Sequence, residues 1–150
     1  MKNMSLLLII VLVFSSFCKK EIQWTNAEQI LTNRAWIQAQ YLEDADGDGV
    51  FTDESSPCEL DNTWVFDADE SKSMTYNDIG ELCAPDFGPL TISGFWDLRN
   101  NDQVLNVYLS NGATQDDFNV EIMNDSLLVL HLIDPDNPTA ATRQKLVLQR

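Results

Sequence analysis

From residue 63 to residue 149 the chain is a succession of short segments whose apolar residues recur at every second position, each ended by a cluster of Asn, Asp, Gly, Ser or Pro. A period of two puts alternate side chains on opposite faces of a strand, and short polar reversals join such strands in antiparallel order. The segments cover 63–66, 72–76, 91–99, 103–109, 116–123, 126–133 and 142–149. Between them lie turn sequences at 68–71, 100–102, 111–112, 124–125 and 134–138. Asn111-Gly112 is the strongest of these, because both residue types tolerate the positive φ of a type I′ hairpin. Upstream, Trp36, Gln38, Gln40 and Leu42 alternate with Ala35, Ile37, Ala39 and Tyr41, which brings the number of strands to eight. An eight-stranded meander exposes two edges, and closing it into a barrel removes them. The expected fold class is all-β, an eight-stranded up-and-down barrel. A short helix over about 26–33 precedes it, opened by the capping box Thr25-Asn26-Ala27-Glu28.

The first residues set the compartment. Lys2, an apolar run from Leu6 to Phe14, and then Ser15-Ser16-Phe17-Cys18 have the order of a cleaved signal, with an apolar run too short to span a bilayer. The stretch resembles a bacterial lipoprotein signal, in which Cys18 becomes the acylated first residue of the mature chain; Phe17 stands where such signals usually carry a small residue. The expected organisation is a signal peptide over 1–17, a tether over 18–24 and one domain over 25–150. The expected location is the outer membrane, on its periplasmic or cell-surface side.

The formal net charge of −15 excludes nucleic acid as a partner and repels an anionic headgroup surface, so membrane attachment falls to acyl chains on Cys18. Outside the cytoplasm, the remaining cysteines, Cys58 and Cys83, pair most economically as a disulfide. Closing a loop of that length stabilises a fold by roughly 3.5 kcal/mol in the chain-entropy treatment.

The acid is concentrated between Glu43 and Asp86, and one stretch of it has the form of a cation loop. Asp44, Asp46 and Asp48 alternate, Gly49 permits a sharp turn, and Val50 can add its backbone carbonyl. With one of Asp53 or Glu54, these residues supply the oxygen set that calcium takes. The twelfth position of the loop is Ser55 and not Glu, and a strand precedes the loop, so an EF-hand is not expected. A solvated acidic connection whose Gly and Asp residues only make turns is the competing reading. A calcium ion here is expected to be structural, for no histidine or general base is close in sequence.

Nothing else in the chain has catalytic form. His131 is the sole histidine and sits in a strand, no serine lies in a nucleophile elbow, and Asp116-Asp117 point to opposite faces of one strand. Trp64, Phe66 and Trp96 fall on strand positions that can line a barrel interior. Eight strands enclose a space that is either filled by side chains or holds one small ligand, and both outcomes stand open.

Taken in order, several features resemble the lipocalin-like domains of lipoproteins from Bacteroidetes-type bacteria. They are the lipoprotein signal, the capped helix leading to a tryptophan strand (Leu31 to Trp36), Cys58-Glu59-Leu60-Asp61-Asn62-Thr63-Trp64-Val65-Phe66 followed by Cys83, and Gly94-Phe95-Trp96-Asp97-Leu98. Arg34 stands where true lipocalins have Gly, two residues before the first-strand Trp, so lipocalin ligand chemistry is not carried over. The resemblance implies the eight-stranded barrel and no assigned activity. The expected function is a lipid-anchored binding or accessory module without catalysis, serving a small apolar ligand or a partner protein. The alternatives are a carrier with Trp64, Phe66 and Trp96 around an apolar ligand, and a metal-assisted hydrolase.

Overall fold

The computed structural model describes residues 23–78, 80–83, 88–110, 115–134 and 143–150. It opens with helix α1 (Asn26–Thr32), followed by β1 (Trp36–Glu43), β2 (Thr52–Asp53), a 3-10 turn (Pro57–Glu59), β3 (Thr63–Phe66) and β4 (Ser73–Asp78). The rest is β5 (Leu90–Arg99), β6 (Val104–Leu109), β7 (Gln115–Met123), β8 (Leu127–Leu132) and β9 (Gln144–Gln149). From β3 to β9 each strand pairs antiparallel with the next, and β1 pairs with both β3 and β9, which closes eight strands into a barrel.

Closure makes β1 serve three neighbours. Its start pairs with β3 (Trp36 opposite Trp64), its whole length beyond Ile37 with β9, and its end with β2, where Leu42 and Glu43 face Asp53 and Thr52. The two-residue β2 carries no alternation of its own, which is why its sequence reads only as a connection. Between β2 and β3 the edge of β1 is satisfied piecemeal. Gln38 N–H donates to Asn62 O (2.9 Å), Tyr41 N–H to Ser55 Oγ (2.7 Å), and Glu54 N–H to Tyr41 O (2.9 Å). No stretch of β1 therefore presents a row of open backbone groups.

The expected capping box forms: Thr25 N–H donates to Glu28 Oε2 (2.7 Å) and Glu28 N–H to Thr25 Oγ1 (3.1 Å). So short a helix is stabilised by what it packs against. Leu31 is fully buried at one end of the barrel, and its carbonyl accepts the Trp36 indole N–H (2.9 Å). Arg150 lies over the Trp36 ring at 3.9 Å and donates to Ile30 O. Lys72 reaches Glu28 (3.0 Å) and Asp97 (2.7 Å) and lies over Trp96, which also stacks on Trp24. Below this lid Phe66, Met74, Trp96, Leu105, Leu128, Leu130 and Leu148 form a packed core.

The reversals follow their chemistry. Asn100, Asn101 and Asp102 join β5 to β6 with φ of 54°, 57° and 65°, the left-handed region these residue types enter most readily. Asn124 Oδ1 accepts the N–H groups of Ser126 and Leu127 in the turn before β8. The expected turn at Asn111-Gly112 and most of that at 134–138 lie outside the described residues. Cys58 and Cys83 are bonded, with Cα atoms 5.0 Å apart, and Asp61 Oδ2 accepts Glu81 N–H (2.7 Å) beside them, so the 3-10 turn is tied twice to the chain after β4.

Gly94 in β5 is required by a close approach. A Cβ there would stand 2.3 Å from the carbonyl oxygen of Tyr108 in β6, a backbone atom held in the ladder. Gly94→Ala is expected to destabilise the barrel by about 1–3 kcal/mol, as overpacking does. Urea unfolding followed by tryptophan fluorescence measures it.

Candidate functional site

Among the described residues, the most deeply buried side chains gather toward the helix end of the barrel. Toward the ends of β1, β7, β8 and β9 away from α1, Tyr41, Trp64, Asp116, Phe118, Leu132, Gln144, Lys145 and Leu146 line a recess of about 160 Å³. Strict alternation from Trp36 and Gln38 would turn Gln40 inward and Tyr41 outward. The register shift between Gln38 and Gln40, where β1 meets β9, reverses this, so Gln40 is exposed and Tyr41 takes the inner position.

Of the three aromatic residues expected around a ligand, only Trp64 meets this recess. Phe66 and Trp96, at 1 % and 2 % exposure, are buried in the hydrophobic core and do not border this recess. Alternation marks a side chain as interior without marking its height along the barrel axis. Trp64 stands edge-on to Tyr76, with ring centroids 5.2 Å apart, and Tyr76 OH accepts from Asn62 Nδ2 (2.6 Å). Burial, with the nearby carboxylates of Asp78, Glu59 and Asp61, pushes the Tyr76 phenol up to about 12. Burial, with Glu43 and Glu59, likewise raises Tyr41. Both phenols are neutral hydrogen-bonding groups at ordinary pH.

The recess has one inward carboxylate. Asp116 lies opposite the buried Val107, on the same face as Phe118, while Asp117 points outward and accepts from Asn106 Nδ2 (2.6 Å). Adjacent acids on opposite faces cannot form a dyad, as expected from the strand. Asp116 makes no hydrogen bond to a described residue, and burial, reinforced by Asp117, raises its pKa. Lys145 reaches the rim, but its ammonium group is 3.3 Å from Glu121 and over the Phe51 ring at 4.1 Å. His131 belongs to that same outer cluster, bonded through Nε2 to Glu121 and edge-on to Phe51.

The acidic loop organises around Asp44, which is 3 % exposed. Its Oδ1 accepts the N–H groups of Gly47 (2.7 Å) and Asp48 (3.1 Å), and its Oδ2 that of Gly49 (3.0 Å). Asp46 Oδ1 accepts Asp48 N–H and Asp48 Oδ1 accepts Val50 N–H, so successive carboxylates fold the loop inward. Gly47 and Gly49, with φ of 78° and 89°, make the bends. One oxygen from each of Asp44, Asp46 and Asp48 falls in a group no wider than 4.8 Å. Asp53 and Glu54 are not brought into it: Asp53 binds Ser55 and Gln40, and Glu54 binds Thr52. The Val50 side chain is exposed. Arg143 donates to Ala45 O (3.3 Å), and its own carbonyl accepts Asp44 N–H (2.8 Å), so the loop is anchored to the start of β9.

Two outcomes follow from these environments. Asp44→Ala leaves the N–H groups of Gly47 and Gly49 without their acceptor and Asp48 N–H with Asp46 alone, and is expected to cost about 2 kcal/mol in urea unfolding. For Asp116, a folded-state pKa above the unfolded value means that the fold disfavours the ionised form. That penalty is complete above the folded pKa and gone below the unfolded value of about 3.9. Asp116→Asn is therefore expected to raise the thermal midpoint at pH 7, with the advantage lost as the pH falls toward 3.

Cys18 lies outside the described residues, and no helix among them is long and apolar enough to cross a membrane. A search of curated proteins finds no match. Among solved structures, a lipocalin-like protein from Bacteroides uniformis ATCC 8492 is similar, at 16 % identity and a TM-score of 0.52, over 81 % of this chain and 98 % of that one. That likeness concerns the fold. A family model described as a lipocalin-like domain matches residues 19–130, from before the capped helix to the middle of β8. With the closed eight-stranded barrel, this match establishes that the chain belongs to the lipocalin-like domain family.

Proposed function

We propose that this chain is a non-catalytic binding module, held outside the cytoplasm at the outer membrane by acyl chains on Cys18, whose barrel recess takes a small, mainly apolar ligand. The observation that carries the reading is the recess toward the ends of β1, β7, β8 and β9 away from α1. On the side of Phe66 and Trp96 away from α1, Tyr41, Trp64, Phe118, Leu132 and Leu146 border a recess of about 160 Å³. A cavity of roughly 150 Å³ with apolar walls accommodates one aromatic ring. The lipocalin-like family, a group of binding proteins in general, supports the absence of catalysis.

Calcium at the acidic loop is part of the same proposal. The donor set fits a hard cation, with Asp44, Asp46 and Asp48 supplying carboxylate oxygens on a loop already bent by Gly47 and Gly49. The ion would pin the connection between β1 and β2 beside the disulfide-tied turn, and its charge would offset a locally acidic surface.

Ligand binding is tested by titrating benzyl alcohol against tryptophan fluorescence in the wild-type chain and in Leu132→Phe, which narrows the recess. The reading requires saturable binding that weakens at least tenfold in the variant; no saturable change in the wild type overturns it. For calcium, a site with a sub-millimolar Kd raises the thermal midpoint by about 5 °C at millimolar ion relative to chelator. Asp48→Asn should abolish the rise, and an unchanged wild-type midpoint removes the ion from the proposal. Mass spectrometry of the membrane fraction tests the anchor, which a non-acylated Cys18 refutes.

A further inference from the structure

The ligand chemistry of the recess can be read from the charge that lines it. Asp116 is an inward carboxylate on an otherwise mainly apolar wall, and no donor among the described residues meets it. Nearby cations are engaged elsewhere: Lys145 with Glu121 and Phe51 on the outer face, and Arg143 against Ala45 in the acidic loop. A partly buried carboxylate that no described donor meets is less well solvated than one in water, and a group that brings both positive charge and N–H donors complements it. The surrounding walls suit the same group. Tyr41, Trp64 and Phe118 supply aromatic rings to the lining, the side-chain type that attracts an organic cation, while Leu132 and Leu146 offer aliphatic surface for its body. An anionic ligand would meet Asp116 inside a chain whose net charge is −15.

We propose that the recess selects a small organic ammonium ion with a ring-sized apolar body, the Asp116 carboxylate receiving the ammonium head and the aromatic and leucine walls the body. This rests on the reading of the recess as the ligand site. Asp116 then sets specificity by charge, and the volume of about 160 Å³ limits the buried body to about one ring.

The test compares three probes of similar size, benzylammonium, benzyl alcohol and benzoate, by calorimetric titration of the full-length chain at pH 7. Benzylammonium should bind at least tenfold more tightly than benzyl alcohol, and benzoate more weakly than either. Asp116→Asn should bring benzylammonium down to the affinity of benzyl alcohol while leaving benzyl alcohol within twofold of its wild-type value. Equal wild-type affinities for the charged and neutral probes, tighter binding of benzoate, or an unchanged ammonium preference in Asp116→Asn each overturn the assignment of charge and leave the apolar recess standing. Failure of all three probes to bind the wild type overturns the recess as a ligand site together with this inference. The wild-type comparison decides the matter independently of how well the variant folds.

Discussion

The pairing of β1 with β9 is the constraint on which the remainder of the barrel depends. It joins strands separated by more than a hundred residues, so their contact forms only after the entropy of closing a long chain has been overcome. The register shift between Gln38 and Gln40 lies on this seam, and a bulge of that kind increases local twist. The same shift turns Tyr41 toward the interior, opposite Leu146. Closure and the shaping of the recess are thus one structural event, and two of its walls come from opposite ends of the domain.

The two ends of the barrel are stabilised differently. At the helix end, fully buried Leu31, Trp36, Phe66, Met74 and Leu148 each contribute on the order of 2–3 kcal/mol by leaving water. The Lys72 ion pairs beside them involve partly exposed groups, with 29 % exposure at Lys72 and 44 % at Asp97, and pairs of this kind contribute about 1 kcal/mol or less. Their geometry orients α1 over the barrel more than it stabilises it. At the opposite end described residues line the recess, and order among them comes from local devices: the β2 hairpin, the Asp44 turn network, and the disulfide with its neighbouring Asp61 contact. A binding site placed there can vary without disturbing the core that holds the fold.

Much of this was legible in the residues because the relevant physics is local. A capping box spans four residues, a hairpin turn two or three, and strand alternation needs only neighbours, so α1 and the eight barrel strands lie close to their expected positions. The cysteine pair followed from compartment and number. The recess was not legible for a different reason. Tyr41 reaches it through a register shift that depends on β9, and nothing within 36–43 reports that partner. Trp64 and Phe66 share a face, yet one lines a space and the other is sealed, since depth in a barrel is set by the helix lid and not by parity. Asp116 and Asp117 point to opposite faces as strand alternation implies, but that alternation alone does not say that Asp116 borders the recess. In the acidic loop the alternating Asp44, Asp46 and Asp48 converge as their spacing implies, while β2 pairing carries Asp53 toward Gln40 and Ser55.

The position of α1 also sets the polarity of the molecule. The helix and Trp24 lie against the end where the most deeply buried side chains gather, and the chain preceding them leads back toward Cys18. If Cys18 is acylated, as proposed, the tether over 18–24 is only a few residues long and reaches at most about 20–25 Å when extended. The helix end would then sit toward the bilayer, and the recess, with the acidic loop beside it, would face the aqueous phase. A ligand would arrive from solution and not by lateral diffusion out of the lipid, which suits a water-soluble cation better than a membrane-dissolved hydrocarbon.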